Sequence, residues 1–481
     1  MFFVKKWIVT PPIKSLLSSP LTLLVCLTLI RGLIYLSIFP PFLAPDEAAH
    51  FEAIRFIGQG KKWPTSEVYL TTPMHSEMPT TFEQFRIWRL VGLYSPVNDL
   101  NVTDNLFIHY YPPQIAGSEV VADSYLMLYH ISLAPLSAAV ASFDLVTQVY
   151  VLRFTSVLFA ALTVVVAWFT MRSVFPTEKI FAMAVGSFIV FWPMHSHVTA
   201  SINAEAFAEL IASLFFLVLA QTYRKGISWF RGAVMMTLLG LAFLTKPTLF
   251  FLLPTLAAAL LLYLGDKLKW NKLMMSILIG GLVASTWLGS LFLYKNAGHG
   301  HKLFSLFSIP LRFPLSPDQI TFEAWTFYLK SLNLALVSFG GLFGWSNIHI
   351  PWTWVRVLAV FCFLIMLGVL AFIYRDLLRR GGKENKLSHL QRKLLVIFLV
   401  AILFSLIGVT APVVATLSPT WAVHSRYYFP VVIPIALYFF LGFRQLMPTR
   451  IRHLTLPIWL TVLIFFDSAV IFLVLVPYIY G

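Results

Sequence analysis

Two carboxylates and a histidine stand together where the first long apolar segment ends. Asp46 and Glu47 are adjacent, and His50 follows one helical turn later, in the stretch PPFLAPDEAAHFEAIRFI at residues 40–57. At helical spacing, Asp46 and His50 share a face. Such a pair can take a proton from a hydroxyl group, or hold a divalent metal ion together with a third ligand. The competing interpretation is a helix start, because Pro45 suits a first turn and acids favour the positive end of a helix dipole.

A second acidic position lies further along the chain, at the start of another apolar segment. Asn203 and Glu205 occur in the stretch MHSHVTASINAE, where helix capping accounts for them as simply as function does. A carboxylate from a second loop is nevertheless what a shared metal or acceptor site needs. Asp46, His50 and Glu205 are therefore the candidate ligands of a divalent ion, Mg²⁺ or Mn²⁺, although the residues establish no cofactor with certainty.

Basic and aromatic residues stand at further boundaries of apolar segments. Lys246 in LTKPT and Arg426 in HSRYYFP are each next to such a segment. They either extend to the lipid headgroups or bind a lipid phosphate, Lys as a point charge and Arg as a fork. Trp345 in SFGGLFGWSNIHIPW is either an interfacial belt residue or a surface that stacks on a sugar ring or lies along a prenyl chain. Arg31 lies inside the first apolar segment and must pair or snorkel.

These residues are set in a chain that is otherwise strongly apolar. Of its 481 residues, 59% are hydrophobic and 11% are charged, whereas soluble domains have about 25% charged residues. Segments long enough to cross a hydrocarbon core of about 30 Å recur along the whole chain. The composition therefore predicts an all-α, polytopic transmembrane helical bundle.

The loop charges predict how the bundle is threaded. The formal charge of +15 is concentrated in short loops, which is typical of cytoplasmic loops, and we place the N-terminus in the cytoplasm. We expect the apolar segment at 124–143 to lie on the outer face, because a further crossing there would place the following basic loops on the extracytoplasmic side. This predicts about eleven spans, with thirteen as the upper limit. The predicted spans are 19–39, 147–171, 180–195, 204–222, 231–245, 248–265, 273–294, 354–374, 393–412, 428–444 and 455–477.

One integral membrane domain, residues 1–481, accommodates all of these segments. Within it we expect a first extracytoplasmic loop at 40–146 that contains juxtamembrane helices, and a long extracytoplasmic loop at 295–353. All the candidate residues at span boundaries then fall on the extracytoplasmic side. No phosphate-binding glycine loop or dinucleotide fingerprint occurs, and we expect no nucleic-acid partner. After residue 205 the spans are nearly free of carboxylates, which disfavours a proton relay.

The order of these patches resembles the GT-C superfamily, the multipass membrane glycosyltransferases that use polyprenyl-linked sugars. More closely, APDEAAHFEAIRF, ASINAEAFAEL, LTKPT, SFGGLFGW and SRYYFP are similar to a bacterial family of largely uncharacterised membrane proteins near that superfamily. The similarity extends over residues 40–430. It implies a GT-C-like fold in the bacterial cytoplasmic membrane. The implied partners are a polyprenyl-phosphate-sugar donor, a glycan, lipid or protein acceptor, and the bilayer.

The resemblance also implies residue roles. Asp46 would deprotonate or orient the acceptor hydroxyl, and Glu205 would position a metal ion or the acceptor. Lys246 and Arg426 would hold the donor phosphate, while Glu47 would join Asp46 and Glu205 as a catalytic carboxylate. The other substrate contacts that these motifs indicate are His50, Asn203, Trp345 and Tyr427. The expected function is extracytoplasmic glycosyl transfer; the alternatives are a transporter or flippase of a lipid-linked sugar, and a ligase or polymerase that moves whole glycans.

Overall fold

Helices dominate the computed structural model, which describes residues 19–60, 75–90, 128–264, 333–378, 387–416 and 424–481. Among these residues, seven helices are long and apolar enough to cross a membrane, and a bent pair of helices makes an eighth candidate. The protein is thus a helical, multi-pass membrane protein. Side chains such as Phe465, Leu261 and Val357 are at least 70% exposed, as expected of an outer surface that faces lipid.

The described helices have the following bounds: α1 Pro20–Ile38, α2 Glu47–Gly58, α3 Met78–Gln84, α4 Ile87–Leu90, α5 Leu128–Ala139, α6 Leu145–Val174, α7 Lys179–Phe191, α8 Pro193–Thr199, α9 Ala204–Lys225, α10 Trp229–Thr245, α11 Leu252–Leu264, α12 333–341, α13 Trp352–Phe372, α14 His389–Thr416, α15 Val432–Leu446, α16 Thr455–Val470 and α17 Val476–Tyr480. Short 3₁₀-helices occupy Pro247–Phe251, Ser425–Val431 and Thr449–Leu454, and π-helical turns occupy Ile373–Leu378 and Ile471–Leu475. Between α12 and α13, strand β1 (Leu342–Phe343) pairs antiparallel with β2 (Ile348–His349).

Local sequence explains where several of these helices begin. The hydroxyl of Ser19 accepts a hydrogen bond from the amide of Thr22 at the start of α1, where Pro20 occupies the first position. The carboxylate of Asp144 accepts from the amide of Thr147 and caps α6 in the same way. These caps satisfy amide groups that the first helical turn leaves without partners.

The predicted span at 180–195 is broken rather than continuous. α7 ends at Phe191, and α8 leaves it at an angle of 67°. Pro193 explains the break, because the residue before a proline is pushed away from helical geometry. The 13 residues of α7 extend about 20 Å, which is less than the hydrocarbon thickness. All residues of α8 are buried in protein, which is the condition for irregular backbone at membrane depth.

Other predicted spans agree with the structure to different degrees. The predicted span 231–245 lies in α10, and α11 covers Leu252–Leu264 of the predicted span 248–265; both helices are apolar but shorter than the spanning helices. The predicted span 273–294 lies outside the described residues. The number of spanning helices among the described residues is therefore seven or eight, and the prediction of about eleven spans remains a prediction.

The described part of the predicted first loop contains the short helices α2 to α5, of which α2 and α5 pack against each other. Nine of the 12 residues of α2 are buried, so α2 lies against protein rather than on the surface. α5 crosses it closely: a Cβ atom at Gly58 would lie 2.8 Å from the carbonyl oxygen of Ala134. The described part of α5 has 12 residues and extends about 18 Å, and residues 124–127 of the predicted outer-face segment lie outside the described residues.

The bundle packs through small residues and aromatic rings. α13 and α15 approach so closely that a Cβ atom at Gly368 would lie 2.3 Å from the carbonyl oxygen of Gly442, as is typical of membrane helices. In the core of the bundle, Phe188 stacks on Trp192 and Trp459 with centroid distances of 4.7 and 6.1 Å. The indole of Trp459 donates to the carbonyl oxygen of Ala184, so its polar group is satisfied inside the core.

Candidate functional site

Asp46 stands at the N-terminus of α2 with a backbone conformation that is unusual for a residue with a side chain. Its φ is 61° and its ψ is 2°, in the left-handed region, and Phe42 shares this region with φ 66°. Strained non-glycine positions cluster at functional sites. The carboxylate of Asp46 makes no capping bond to α2. Instead, Nη2 of Arg426 donates to its Oδ2 at 2.7 Å, so a helix start does not account for this side chain.

Glu47 is fully buried and anchors the segment that carries Asp46. Arg153 on α6 donates through Nε to Oε1 at 2.7 Å and through Nη2 to Oε2 at 2.6 Å. The amides of Phe42 and Ile202 donate to the same carboxylate at 2.9 and 3.0 Å. Four donors match the capacity of a carboxylate. These contacts give Glu47 a positioning role for the segment that carries Asp46, and its expected catalytic role stays a prediction.

Two carboxylates and two cations from separate segments form one ion-pair cluster: Asp46, Glu205, Lys246 and Arg426. Glu205 lies in the first turn of α9, and Nζ of Lys246 donates to its Oε1. Nε of Arg426 lies 3.7 Å from the same oxygen, and its Nη2 holds Asp46. Arg426 therefore bridges the two carboxylates. We call these four residues the ionic cluster.

The ionic cluster gathers the ends of four helical segments. Asp46 follows the C-terminus of α1, Glu205 begins α9, Lys246 follows α10, and Arg426 lies in the turn that leads into α15. Because these side chains contact one another, the four ends lie on the same side of the bundle. The side chain of Asp46 is 30% exposed, whereas that of Glu205 is 4% exposed. The cluster is thus accessible from the protein surface at Asp46.

Tyr427 joins the two cations of the cluster through its ring and its hydroxyl group. Nζ of Lys246 and the guanidinium carbon of Arg426 each lie 5.0 Å from the centre of the ring. Nη2 of Arg426 also donates to the Tyr427 hydroxyl oxygen at 3.0 Å. Cation–π contacts of this kind orient the cations without neutralising them. The predicted contact residue Tyr427 is therefore part of the same site.

Several buried polar atoms around the cluster have no hydrogen-bond partner among the described residues. They are Oε2 of Glu205, Nε of Arg426 and Oγ of Ser425. A buried polar atom without a partner costs about 1–3 kcal/mol, so each of these atoms is expected to bond to water or to a ligand. The cluster therefore offers hydrogen-bonding positions that a polar ligand can use.

His50 lies beside the cluster and pairs with a histidine that the sequence did not single out. Its Nδ1 lies 2.9 Å from Nε2 of His130 on α5, and the two rings stack. Burial lowers the pKa of His50 to about 4, although the charges of Glu205 and Asp46 oppose the shift. Burial likewise lowers the pKa of His130, and the charge of His50 adds to that effect. Both rings are therefore neutral near pH 7.

The pKa of Asp46 reflects two opposed effects. Burial raises it, but the charge of Arg426, followed by that of His50, brings it below its usual value. Asp46 is therefore an ionised carboxylate near pH 7, held by Arg426.

The other two predicted contact residues have mainly structural contacts. Asn203 caps α9: its Oδ1 accepts from the amide of Glu205, and its Nδ2 donates to Ser201 and to the carbonyl of Val198. This is the capping interpretation that the sequence left open. The indole of Trp345 donates to the carbonyl oxygen of Phe42 at 3.1 Å and so contacts the segment before Asp46.

The candidate metal ligands Asp46, His50 and Glu205 do not form a metal-binding group. Among the described residues, no set of three or more His, Cys, Asp and Glu side chains is placed to hold a metal ion. The two carboxylates face Arg426 and Lys246 instead, so their negative charge is already matched by cations. The geometry favours a site built on basic side chains.

A second group of charged residues lies inside the bundle and includes carboxylates of the later spans. Arg31 on α1 pairs with Asp467 on α16, and the hydroxyl of Tyr35 donates to Asp467 at 2.9 Å. Asp467 is the partner that the sequence did not reveal for Arg31. Nearby, Nε2 of His195 lies 2.9 Å from both oxygens of Glu209 on α9. A single carboxylate within a long apolar segment was the signal for Asp467.

The ionic cluster is suited to acid–base chemistry on a ligand that carries an anion. A partly exposed carboxylate can accept a proton, and two adjacent cations can hold negative charge. The location at the ends of apolar helices suits an amphipathic ligand with a polar head. No family model matches the chain, and no curated protein matches it.

Proposed function

We propose that this protein is a GT-C-type glycosyltransferase of the bacterial cytoplasmic membrane. It transfers a sugar from a polyprenyl-phosphate donor to a lipid, glycan or protein acceptor on the extracytoplasmic side. In this proposal the N-terminus is cytoplasmic, about eleven spans cross the membrane, and the ionic cluster faces the cell exterior. Asp46 is the base, and Lys246 and Arg426 hold the donor phosphate.

One observation carries the proposal: Asp46, Glu205, Lys246 and Arg426 meet at one end of the bundle although they lie far apart in sequence. A lipid-linked sugar has a long apolar tail and an anionic phosphate beside its sugar. Such a donor needs an apolar flank for the tail and cations at the membrane boundary for the phosphate. The ionic cluster supplies the second requirement, and the apolar outer surface of the helices supplies the first.

The proposed reaction exchanges one bond at the anomeric carbon. The acceptor oxygen forms a new bond to this carbon as its proton passes to the carboxylate of Asp46. The bond between the anomeric carbon and the phosphate oxygen breaks, and its electron pair leaves with the phosphate. Lys246 and Arg426 stabilise the negative charge that develops there. A base and a leaving group on opposite sides of the carbon favour in-line displacement with inversion.

The remaining residues support these groups in the proposal. Glu205 holds Lys246 and lies beside Arg426, so it orients both cations toward one position. Glu47 and Arg153 fix the segment that carries Asp46. Trp345 contacts the same segment and is a candidate to lie along the sugar or the prenyl chain. Asn203 shapes the start of α9.

The test is to identify the lipid that the full-length protein carries and the reaction that it performs. Mass spectrometry of lipids that co-purify with the protein should detect polyprenyl-phosphate species. The variant Arg426→Gln should lose them. Arg444→Gln is the matched control, because it removes the same charge from the other end of the same helical segment. Equal lipid content in the two variants, or no polyprenyl phosphate at all, would contradict the proposal.

A transporter or flippase of a lipid-linked sugar is the second candidate, and the charged pairs inside the bundle favour it. Arg31 and His195 line one small cavity between α1, α6, α7 and α8, and each pairs with a buried carboxylate. Intramembrane charges of this kind often mark transport paths. Asp467→Asn discriminates the two functions: it should abolish transport but leave glycosyl transfer by the detergent-solubilised protein intact.

Transfer of whole glycans by a ligase or polymerase would use the same chemistry at the same site. The product distinguishes it, because mass spectrometry of the acceptor shows either one added sugar or an entire glycan.

A further inference from the structure

The contact between Arg426 and Asp46 joins two groups that have different tasks in the proposed reaction. The guanidinium should hold the donor phosphate, and the carboxylate should accept a proton from the acceptor. In the structure Nη2 of Arg426 instead donates to Oδ2 of Asp46 at 2.7 Å. Arg426, which should hold the donor phosphate, is therefore bound to Asp46, which should accept the proton.

The other contacts of Arg426 show that it has capacity for a further acceptor. Its Nε is buried without a hydrogen-bond partner among the described residues, and it lies 3.7 Å from Oε1 of Glu205, beyond hydrogen-bonding distance. Nη2 is shared between Asp46 and the hydroxyl of Tyr427. A guanidinium in this state can turn toward a phosphate, which offers two oxygens in the geometry that Arg prefers.

The charges of the ionic cluster balance before any substrate is present, since two carboxylates face two cations. An entering phosphate adds negative charge and competes with the carboxylates for the same cations. Asp46 is the easier of the two to displace, because its side chain is 30% exposed whereas that of Glu205 is 4% exposed. Water can solvate the released Asp46, but not a released Glu205.

We infer that the ion pair between Arg426 and Asp46 is a latch that the donor phosphate opens. When a phosphate ester binds, Arg426 turns from Asp46 to the phosphate, and the carboxylate becomes available to accept a proton. The latch rests on the proposed function and adds an order of binding to it. The donor binds first, and only then is Asp46 competent as a base. Loss of the Arg426 contact also raises the basicity of Asp46, since that charge now holds its pKa below the usual value.

Binding of a short prenyl phosphate tests the latch without any turnover. The probe is farnesyl phosphate, with inorganic phosphate and uncharged farnesol as comparison ligands, measured by calorimetry on the full-length protein in nanodiscs. Asp46→Asn removes the internal competitor and should tighten farnesyl phosphate binding about tenfold, because a charge-assisted hydrogen bond no longer has to be exchanged. Arg426→Gln should weaken the same binding by at least about tenfold.

A double-mutant cycle separates the latch from simple charge repulsion. If Asp46 acts through Arg426, the change Asp46→Asn should have little effect on affinity in an Arg426→Gln background. A general field effect of the carboxylate predicts the same tightening in both backgrounds, and that outcome would overturn the latch. Glu83→Gln is the control, since it removes an exposed carboxylate from α3. Asp46→Ser takes the place of Asp46→Asn in the cycle should the latter fail to fold.

The two proposals fail in different ways. If wild-type protein binds farnesyl phosphate no better than farnesol, the proposed function fails and the latch fails with it. If farnesyl phosphate binds through Arg426 but the cycle shows no coupling to Asp46, only the latch fails. Inorganic phosphate that binds as tightly as farnesyl phosphate would identify a free anion rather than a lipid head as the ligand.

Discussion

Arg426 reaches Asp46 across 380 positions of sequence and donates to its carboxylate at 2.7 Å. The contact links the segment after α1 to the turn before α15, and Glu205 and Lys246 complete it from two further segments. The Arg426 guanidinium thus links three of the four helix ends, and Glu205 links the fourth through Lys246. The expected effects of changing this cluster and its supports are specific enough to measure.

Asp46→Asn should lower glycosyl transfer by at least about 100-fold, because general-base catalysis contributes roughly that much and an amide cannot accept the proton. The measurement is the rate of sugar transfer in membranes that contain equal amounts of protein. The melting temperature should stay close to that of the wild type, since Asp46 is partly exposed. Turnover retained in this variant would remove Asp46 from the mechanism.

Glu47→Gln should lower the stability of the folded protein. Breaking a buried ion pair leaves Arg153 with an uncompensated charge, which costs about 3–5 kcal/mol. Thermal unfolding in detergent should therefore occur at a clearly lower temperature than for Glu83→Gln, an exposed carboxylate in α3. An unchanged melting temperature combined with lost activity would instead return Glu47 to a catalytic role.

The buried histidines should make the protein less stable as the pH falls from about 7 to about 4. Burial lowers the pKa of His50 from 6.5 to about 4 and that of His424 to about 3. Over this range the unfolded chain binds protons that the folded protein does not, so the free energy of unfolding decreases as the pH falls. His50→Gln should reduce the slope of melting temperature against pH. A slope identical to that of the wild type would show that His50 is not kept neutral by the fold.

Gly442→Ala should destabilise the contact between α13 and α15. Its new Cβ atom would lie 2.4 Å from the carbonyl oxygen of Ile365, and backbone cannot move aside cheaply. We expect a loss of about 1–3 kcal/mol, as for overpacking elsewhere. Gly408→Ala is the matched control, because nothing lies within 4 Å of a Cβ atom there and alanine favours the helix. Equal melting temperatures for the two variants would contradict this account of the packing.

Cysteine labelling should place the two ends of α6 on opposite sides of the membrane. Gln84 lies in the predicted first external loop and Thr177 in a predicted cytoplasmic loop, and both side chains are exposed. In a background without Cys26 and Cys362, an impermeant maleimide should label Gln84→Cys in intact cells and label Thr177→Cys only after lysis. Labelling of both from outside would overturn the topology.

The sequence by itself determined the class of the protein and the candidate residues of the ionic cluster. Apolar length and loop charge act locally, so they reveal helices and their ends without knowledge of neighbours. Because successive spans cross the membrane in opposite directions, the order of the spans then predicts that four residues fall on one side of the bundle: Asp46, Glu205, Lys246 and Arg426. The break at Pro193 was also available from local geometry, although the segment 180–195 was predicted as one span.

Only the tertiary structure decided which charged groups meet. Glu47 and Asp46 are neighbours in sequence, yet one turns inward to Arg153 and the other outward to Arg426. Asp467, near the C-terminal end of the sequence, pairs with Arg31 in the first helix. These choices depend on the rotation and tilt of each packed helix, which the whole bundle sets and no local pattern records.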